Sequence, residues 1–429
     1  MKQFLAKTVR TLLPKESVSG IESFYRKMRV HAVSARYGYP ARGLRVIAVT
    51  GTNGKTTTAY YLNEILKAAG YTTALFSTAV IEMAGERSIN DLNATVPLTA
   101  RMQRFFKQAS KKKVDYVIIE ATSHALHQHK LDTVPIECAI MTNLTQDHLD
   151  YHHSMEEYAR AKALLFLKQP HYIVLNRDDE WFDFYNAFDA TKHKITYGVH
   201  TDSEARIQKV KLYKKGSEAT VVIDHQTQLA LGSHLPGKYN VYNYVAAASA
   251  AYVLGVSLES IADGIANVES IPGRFERVSS DKPFEVIVDY AHTPDALEKL
   301  IEAAKEMTKQ RVILVFGACG DRDVLKRPLM GEIAAKKADR IILTDEESYN
   351  EDPIKIRQDI SQGIQKVKGG EAKTEEVADR EAAIQKAISI ARKGDTILIT
   401  GMGHEQFRIV NGEKLPWNDV EVVKNILQK

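Results

Sequence analysis

Residues 47–66 read IAVTGTNGKTTTAYYLNEIL. An apolar run enters a turn rich in glycine, threonine and lysine, and the chain leaves it as a helix. The backbone N–H groups of such a turn, with the helix N-terminus behind it, face an anion. Here the turn is Gly51, Thr52, Asn53, Gly54, Lys55, Thr56 and Thr57. Lys55 is spaced to reach the outer phosphates of a nucleotide, and Thr56 to ligate a magnesium ion beside them. Val49 stands where the full Walker spacing has glycine, so that pattern matches only in its second half. The place of the turn, between a strand and a helix, carries the nucleotide-binding reading.

Outward from this turn the chain falls into blocks. From Leu44 to about Gly198 the strand-like runs RVIAVT, DYVIIEA, CAIMTNL and YIVLNRD alternate with helical segments, the pattern of a mostly parallel sheet. Around 205–232 short alternating strands (VKLYKKGSEATVVID) predict a small antiparallel patch. Helices return at NVYNYVAAASAAYVLG and SLESIADGIANV. Pro272 and Gly273 mark a hinge, after which FEVIVDYAH, RVILVFGACG, DRIILTD and DTILITGMG form a second alternating unit. The expected division is a short basic segment at 1–43, a central domain at 44–272 and a C-terminal domain at 273–429. The fold class is α/β.

At 429 residues the chain is long for one core, and 44% hydrophobic with 26% charged residues is the balance of a folded globular protein. Two cysteines, Cys138 and Cys319, lie far apart in apolar surroundings, which predicts a reducing compartment and no disulfide framework. No apolar run is long enough for a membrane span and no signal-peptide pattern follows the start, so a cytoplasmic protein is expected. Residues 1–43 carry nine Lys/Arg against two Glu, a surplus of seven that leaves the rest of the chain at −3 of the total +4. A nucleic-acid groove in the body is therefore not expected. Phe4, Leu5, Val9, Leu12 and Leu13 recur at helical spacing beside Lys2, Lys7 and Arg10. That pattern fits a helix docked on its own protein, or one making weak contact with an anionic membrane surface.

A metal site is signalled further on. Glu120 ends the strand DYVIIEA, and His148 follows CAIMTNL within NLTQDHLDYHH. Both fall at carboxyl ends of strands, where open α/β sheets hold ligands. A carboxylate, an imidazole and the Thr56 hydroxyl suit magnesium beside nucleotide phosphates. His124, His127, His129, His152 and His153 read as surface or hydrogen-bonding residues.

TGTNGKTT, IEATSHALHQHKLD, TNLTQDHLDYHHSMEEYARAKALLF, LPGKYNVYN, PGRFE, DYAHTPDAL, GDRDVLKRPLMG and GMGHE occur in this order. Together they resemble the Mur ligase family, nearest to its MurE type, from about residue 44 to the C-terminus. The resemblance implies a P-loop central ATPase domain, a Rossmann-like C-terminal domain, and ATP-dependent amide formation releasing ADP and phosphate. By the family pattern Lys55 and magnesium draw two anions together, with Thr56 and Glu120 on one ion and Glu120 and His148 on another. Lys162, which the sequence alone reads as an exposed helix lysine, matches the lysine that the family carries as a carbamate. Asn243 matches a residue near the adenine, Arg274 the hinge arginine near the phosphates, and Asp289 the aspartate near the ribose. A helix cap, a solvated arginine and a strand-end aspartate are the plainer readings of those three. Thr95, Ser123, Gln128 and Lys130 fall where the family contacts its nucleotide-linked acceptor, Lys130 in place of an arginine.

Departures from the family are informative. The usual first domain, which grips uridine diphosphate, is roughly twice the size of residues 1–43 and its pattern is not visible there. The acceptor is then a UDP-sugar peptide held differently, or a poly-amino-acid or lipid-linked precursor. Diaminopimelate-adding members carry Asp-Asn-Pro-Arg, where this chain has Glu346, Glu347, Ser348 and Tyr349. Arg322 matches the group gripping the amino acid's α-carboxylate, and Gly401 and Glu405 match those near its far amino group, with Met402 replacing a lysine. A lost cation and gained carboxylates favour a cationic tail, so lysine or ornithine is the expected free amino acid. A P-loop kinase or NTPase would need neither Lys162 nor an amino-acid site. A non-catalytic binding subunit would not need Lys55, Glu120, His148 and Lys162 together.

Overall fold

The computed structural model describes residues 15–90, 99–224 and 226–428. Thr95 and the amphipathic pattern at 4–13 lie outside them. Eleven strands form one sheet in the order β11-β10-β9-β8-β7-β6-β1-β5-β2-β3-β4. Its centre is β1 (Arg45–Thr50), parallel to β5 (Tyr116–Glu120) on one side and to β6 (Cys138–Met141) on the other. β7 (Tyr172–Asn176) and β8 (His193–Gly198) continue the parallel run. β9 (Ala205–Tyr213), β10 (Gly216–Ile223) and β11 (Thr227–Ser233) extend it as an antiparallel meander. The antiparallel patch expected at 205–232 is thus an extension of the large sheet.

The apolar run of β1 follows from burial on both faces. Ile47 and Val49 point to the side covered by helices Lys55–Ala68, Lys238–Val253 and Leu258–Ala266. Val46 and Ala48 point to the other side, packed with Phe105, Phe106, Tyr158 and Phe166. The opposite edge, β2 (Thr73–Phe76), β3 (Val80–Met83) and β4 (Glu86–Ile89), has no counterpart among the strands expected from sequence. Charge hides it: Glu82 of β3 is 1% exposed, receiving Arg87 Nε at 2.7 Å and Lys67 Nζ at 3.3 Å.

A six-stranded sheet follows, ordered β12-β13-β17-β14-β15-β16. Its β13 (Glu285–Asp289), β17 (Thr396–Thr400), β14 (Val312–Phe316), β15 (Arg340–Leu343) and β16 (Thr374–Glu376) are parallel, and β12 (Glu276–Val278) is antiparallel to β13. Helices Pro294–Met307, Lys326–Lys337 and Pro353–Gln365 share one core with it, and Arg380–Ile390 packs on the other face. Thr293 and Asp352 start two of these helices, each accepting a backbone N–H ahead of a proline at the first helical position.

The two sheets meet around the turn after β1. Gly273 is packed rather than loose: its N–H donates to Glu276 at 2.7 Å and its carbonyl receives the Tyr290 N–H at 2.9 Å. The carboxyl ends of β1, β5, β13 and β17 all run into loops lining one cavity of about 1280 Å³. No helix among the described residues is long and apolar enough to cross a membrane.

Candidate active site

The phosphate-binding turn is held from three directions. Asn143 accepts the Thr52 N–H through its carbonyl at 2.8 Å and the Asn53 N–H through its side chain at 2.9 Å. The Thr142 hydroxyl donates to the Asn53 carbonyl at 2.6 Å. Asn243 lies inside helix Lys238–Val253, whose N-cap is Gly237, so the capping reading fails. It closes the turn from above: a Cβ on Gly54, at φ +84°, would fall 2.2 Å from Asn243 Oδ1. Only glycine meets both conditions there.

Thr56 and Glu120 come together, the hydroxyl donating to Oε1 at 2.8 Å. The Thr78 N–H and hydroxyl bind the same carboxylate at 2.6 and 2.9 Å, leaving Glu120 1% exposed. Arg274 also reaches Thr56 Oγ1, at 3.1 Å, and its guanidinium lies 4.5 Å from the centre of the Tyr290 ring, so it is not the solvated arginine of the plainer reading. Asp289 lines the cavity, yet both of its oxygens accept backbone N–H groups, of Phe275 and Ala291, at 2.7 Å. A carboxylate keeps lone pairs beyond those two bonds.

Lys55 donates to the Gly51 and Thr52 carbonyls at 2.9 and 2.7 Å. Lys162 donates to the same Gly51 carbonyl at 2.7 Å and is 1% exposed, which overturns its reading as a surface lysine. Burial lowers the pKa of both, for Lys162 to well below its ordinary value, with the neighbouring Lys55 adding to the effect. His148 does line the cavity, but its Nε2 lies 3.3 Å from Asp147, and burial pulls its pKa down to about 3. Among the described residues no three His, Cys, Asp or Glu side chains gather as a metal site. The hard-oxygen pair Thr56 and Glu120 is the part of the expected ligand set that is assembled.

At the acceptor end Gln128 and Lys130 line the cavity. Ser123 does not face it. It is 1% exposed and bonded to His152 Nε2 at 2.9 Å. His127 and His129 are hydrogen-bonded to Tyr151 and Asp132, as the plainer reading expects, whereas His124 lines the cavity.

The opposite end is acidic. Glu346, Glu347 and Glu405 all line the cavity and are 3%, 5% and 4% exposed. Glu346 Oε1 accepts the Cys319 thiol at 2.8 Å, while Oε2 is buried without a partner. Gly401, at φ +102°, makes room for it, since a Cβ there would fall 2.1 Å from Oε2. Glu347 accepts the Tyr349 hydroxyl and the Ile409 N–H, both at 3.1 Å. Arg322 stands over the Tyr349 ring at 4.8 Å. Burial raises the pKa of all three carboxyls, that of Glu405 to about 7, with Glu347 adding to it.

Sequence reasoning missed the seam between the two units. Lys326 Nζ lies 3.1 Å from Asp147, both nearly fully buried. Asn53 Nδ2 donates to Asp295 at 2.9 Å, and Asn53 Oδ1 accepts the Thr293 hydroxyl at 3.2 Å. His404 Nε2 meets the Thr78 carbonyl at 2.9 Å. Asp147 adjoins His148, and Lys326 lies in GDRDVLKRP, but pairing across 179 positions leaves no mark in the sequence.

A phosphate loop, a second parallel unit closed onto it and a shared cavity with oppositely charged ends define a two-domain nucleotide-dependent enzyme. Residues 49–251 match the Mur ligase middle domain, and residues 273–403 the Mur ligase glutamate ligase domain. The UDP-N-acetylmuramoyl-L-alanyl-D-glutamate–2,6-diaminopimelate ligase of Geobacillus kaustophilus is 40% identical over 93% of this chain and 82% of its own length. A ligase of the same description from Clostridium acetobutylicum is 36% identical over 97% and 85%. A solved structure of such a ligase superposes with a TM-score of 0.63 at 31% identity, over 94% of this chain and 82% of the other. The chain belongs to the Mur ligase family, among relatives of the MurE type. It is a ligase forming C–N bonds, in a family that uses ATP with magnesium.

Proposed function

We propose that this enzyme joins lysine or ornithine to a carboxylate of a UDP-N-acetylmuramoyl-peptide acceptor through an acyl phosphate, in peptidoglycan synthesis in the cytoplasm. We divide it into the basic segment 1–43, the ATPase domain 44–272 and the amino-acid-binding domain 273–429. The gap between the last strand of the large sheet, ending at Ser233, and the first of the second, at Glu276, supports that division.

A carboxylate acylates poorly. Its oxygen therefore attacks the γ-phosphorus and the bond to ADP breaks; the amine then attacks the carbonyl carbon of the acyl phosphate, the C–O bond to phosphate breaks with release of inorganic phosphate, and the nitrogen gives up a proton. Two anions meet in the first step, and Lys55 and Arg274 are the cations of this chain at that point. Asn243 and Asp289 are assigned to the adenine and ribose. Thr56 and Glu120 would hold magnesium, with His148 on a second ion, and the metal would supply further positive charge between the phosphates. We assign Lys162 as a carbamate. Its buried amine, held below the ordinary lysine pKa, is the neutral species that adds CO2 and releases a proton. The product is an anion, suited to a site beside cations where an ammonium is repelled. The acceptor in the relatives' names supports the muramoyl peptide, with Gln128 and Lys130, which line the cavity, assigned to it.

The observation that carries the amino-acid choice is the buried Glu346–Glu347–Glu405 end of the cavity. Arg322 near its rim suits an α-carboxylate, and three carboxylates suit a distal ammonium. A second reading, diaminopimelate, is favoured by the names of the relatives. Competition among lysine, ornithine and meso-diaminopimelate at equal concentration decides between them, and a preference for diaminopimelate sinks the first. ATP turnover should need both acceptor and amino acid; rapid hydrolysis with neither would point to an NTPase.

A further inference from the structure

Helix Lys15–Arg36 turns one face to the protein and the opposite face to solvent. The seated face is fixed by Ser23 Oγ to His129 Nε2 at 2.8 Å and by Ser34 Oγ to Thr133 Oγ1 at 2.7 Å, with Val30 buried between those positions. On the outward face Phe24, Met28, Ala32 and Ala35 recur at helical spacing, with Tyr25 beside them. Phe24, Tyr25 and Met28 are 67%, 65% and 54% exposed, so neighbouring large apolar side chains stand together in water. Exposed Lys27 flanks this stripe on one side, and exposed Arg29 and Arg36 on the other.

A second helix adds charge to this surface. Thr133 Oγ1 also accepts Gln103 Nε2, at 3.5 Å, from helix Thr99–Lys111, so one threonine ties both helices. Met102, Phe105, Phe106 and Ala109 point into the core. Arg101, Arg104, Lys107 and Lys111 therefore share the exposed face of that helix. Residues 99–113 carry six Lys or Arg and no Asp or Glu. Lys112 pairs with Glu86 at 3.0 Å, and Arg26 of the first helix with Glu22 at 3.2 Å. Arg101, Arg104, Lys107 and Lys111 make no ion pair among the described residues. None of these side chains lines the central cavity.

We propose that helices Lys15–Arg36 and Thr99–Lys111 form a docking surface for an anionic phospholipid bilayer. Phe24, Tyr25 and Met28 enter the headgroup region, and the lysines and arginines around them meet lipid phosphates. The charges match any polyanion, but the apolar stripe selects the lipid. A nucleic acid offers phosphates without an acyl phase for Phe24 and Met28. The surface is independent of which acceptor and which amino acid the enzyme uses.

The test is co-sedimentation of the full-length protein with vesicles of phosphatidylglycerol or of phosphatidylcholine. Binding should be confined to phosphatidylglycerol and should weaken steeply with added salt. Arg101→Glu, Arg104→Glu and Lys107→Glu combined should weaken it at least about a hundredfold, and Phe24→Ser with Met28→Ser about tenfold. These side chains are exposed, so circular dichroism and Tm should stay as in wild type. In the Phe24→Trp variant, brominated acyl chains should quench emission beyond the wild-type background. Equal binding to both lipids, no binding, or no added quenching in that variant overturns the proposal. Binding that persists in both combined variants assigns the contact to another part of the chain and overturns it too. Protection of Phe24 by self-association, or retardation of RNA in a gel without vesicle binding, would give the surface to a second copy or a nucleic acid instead.

Discussion

The two ends of the central cavity are electrostatic opposites built in the same way. At the phosphate loop Lys55 and Lys162 share the Gly51 carbonyl, and burial lowers both pKa values, with Arg274 adding to it at Lys55 and Lys55 adding to it at Lys162. At the far end Glu346, Glu347 and Glu405 line the same cavity, and burial raises their pKa values, with Glu346 adding to it at Glu347 and both neighbours adding to it at Glu405. Each end gathers ionisable groups of one kind, basic at the loop and acidic at the far end. A nucleotide phosphate would relieve the first and an ammonium the second, so each end favours a ligand of opposite sign.

The sharpest way to break this symmetry is at the loop. Lys55→Ala should reduce turnover by at least about a thousandfold with the circular dichroism spectrum unchanged, because Arg274, the other cation there, is already engaged with Thr56 and does not take over its place at the phosphates. Lys162→Ala should cost about a hundredfold, and short carboxylates added to the variant should restore part of the loss. A nucleotide-bound structure from bicarbonate buffer with a bare amine at Lys162 would refute the carbamate. At the other end, Glu346→Gln or Glu347→Gln should lower kcat/KM for lysine about tenfold to a hundredfold while leaving the KM for ATP unchanged. A loss of ATP affinity instead would mean that the acidic end supports the seam rather than the amino acid.

The smallest effect is a pH dependence. With Glu405 raised from 4.5 to about 7, the folded state binds more protons than the unfolded chain between those values. Stability from this group therefore falls as pH rises from about 4.5 through 7, and a bound ammonium offsets the loss. Lysine should raise Tm more at pH 8 than at pH 6, and kcat/KM for lysine should climb through about pH 7. Glu405→Gln should flatten both trends, and identical profiles in the variant would remove Glu405 from the site.

Relations that are local in the chain were legible in sequence. The strand, turn and helix around Gly51–Thr57 follow from apolar runs, a glycine that must take positive φ and a helix start. Glu120 and His148 at strand ends follow from the rule that loops at carboxyl ends of strands hold ligands, whereas Asp289 and Gly401 were singled out only by the family resemblance. What lay beyond that reach was pairing and burial. Glu82, a carboxylate in a strand, disguised the β3–β4 edge because its partners Lys67 and Arg87 are set by packing. Lys162 has a surface lysine's composition and a core residue's exposure, because the Gly51 carbonyl meets it from 111 positions away. Asp147–Lys326 and Asn53–Asp295 became partners only when the second sheet closed on the first. The sequence by itself determined the elements and the chemical groups at their ends, since backbone geometry and apolar periodicity act over a few residues. Only the tertiary structure decided which charges share a buried space, because Coulomb energy and desolvation depend on distance through the fold rather than along the chain.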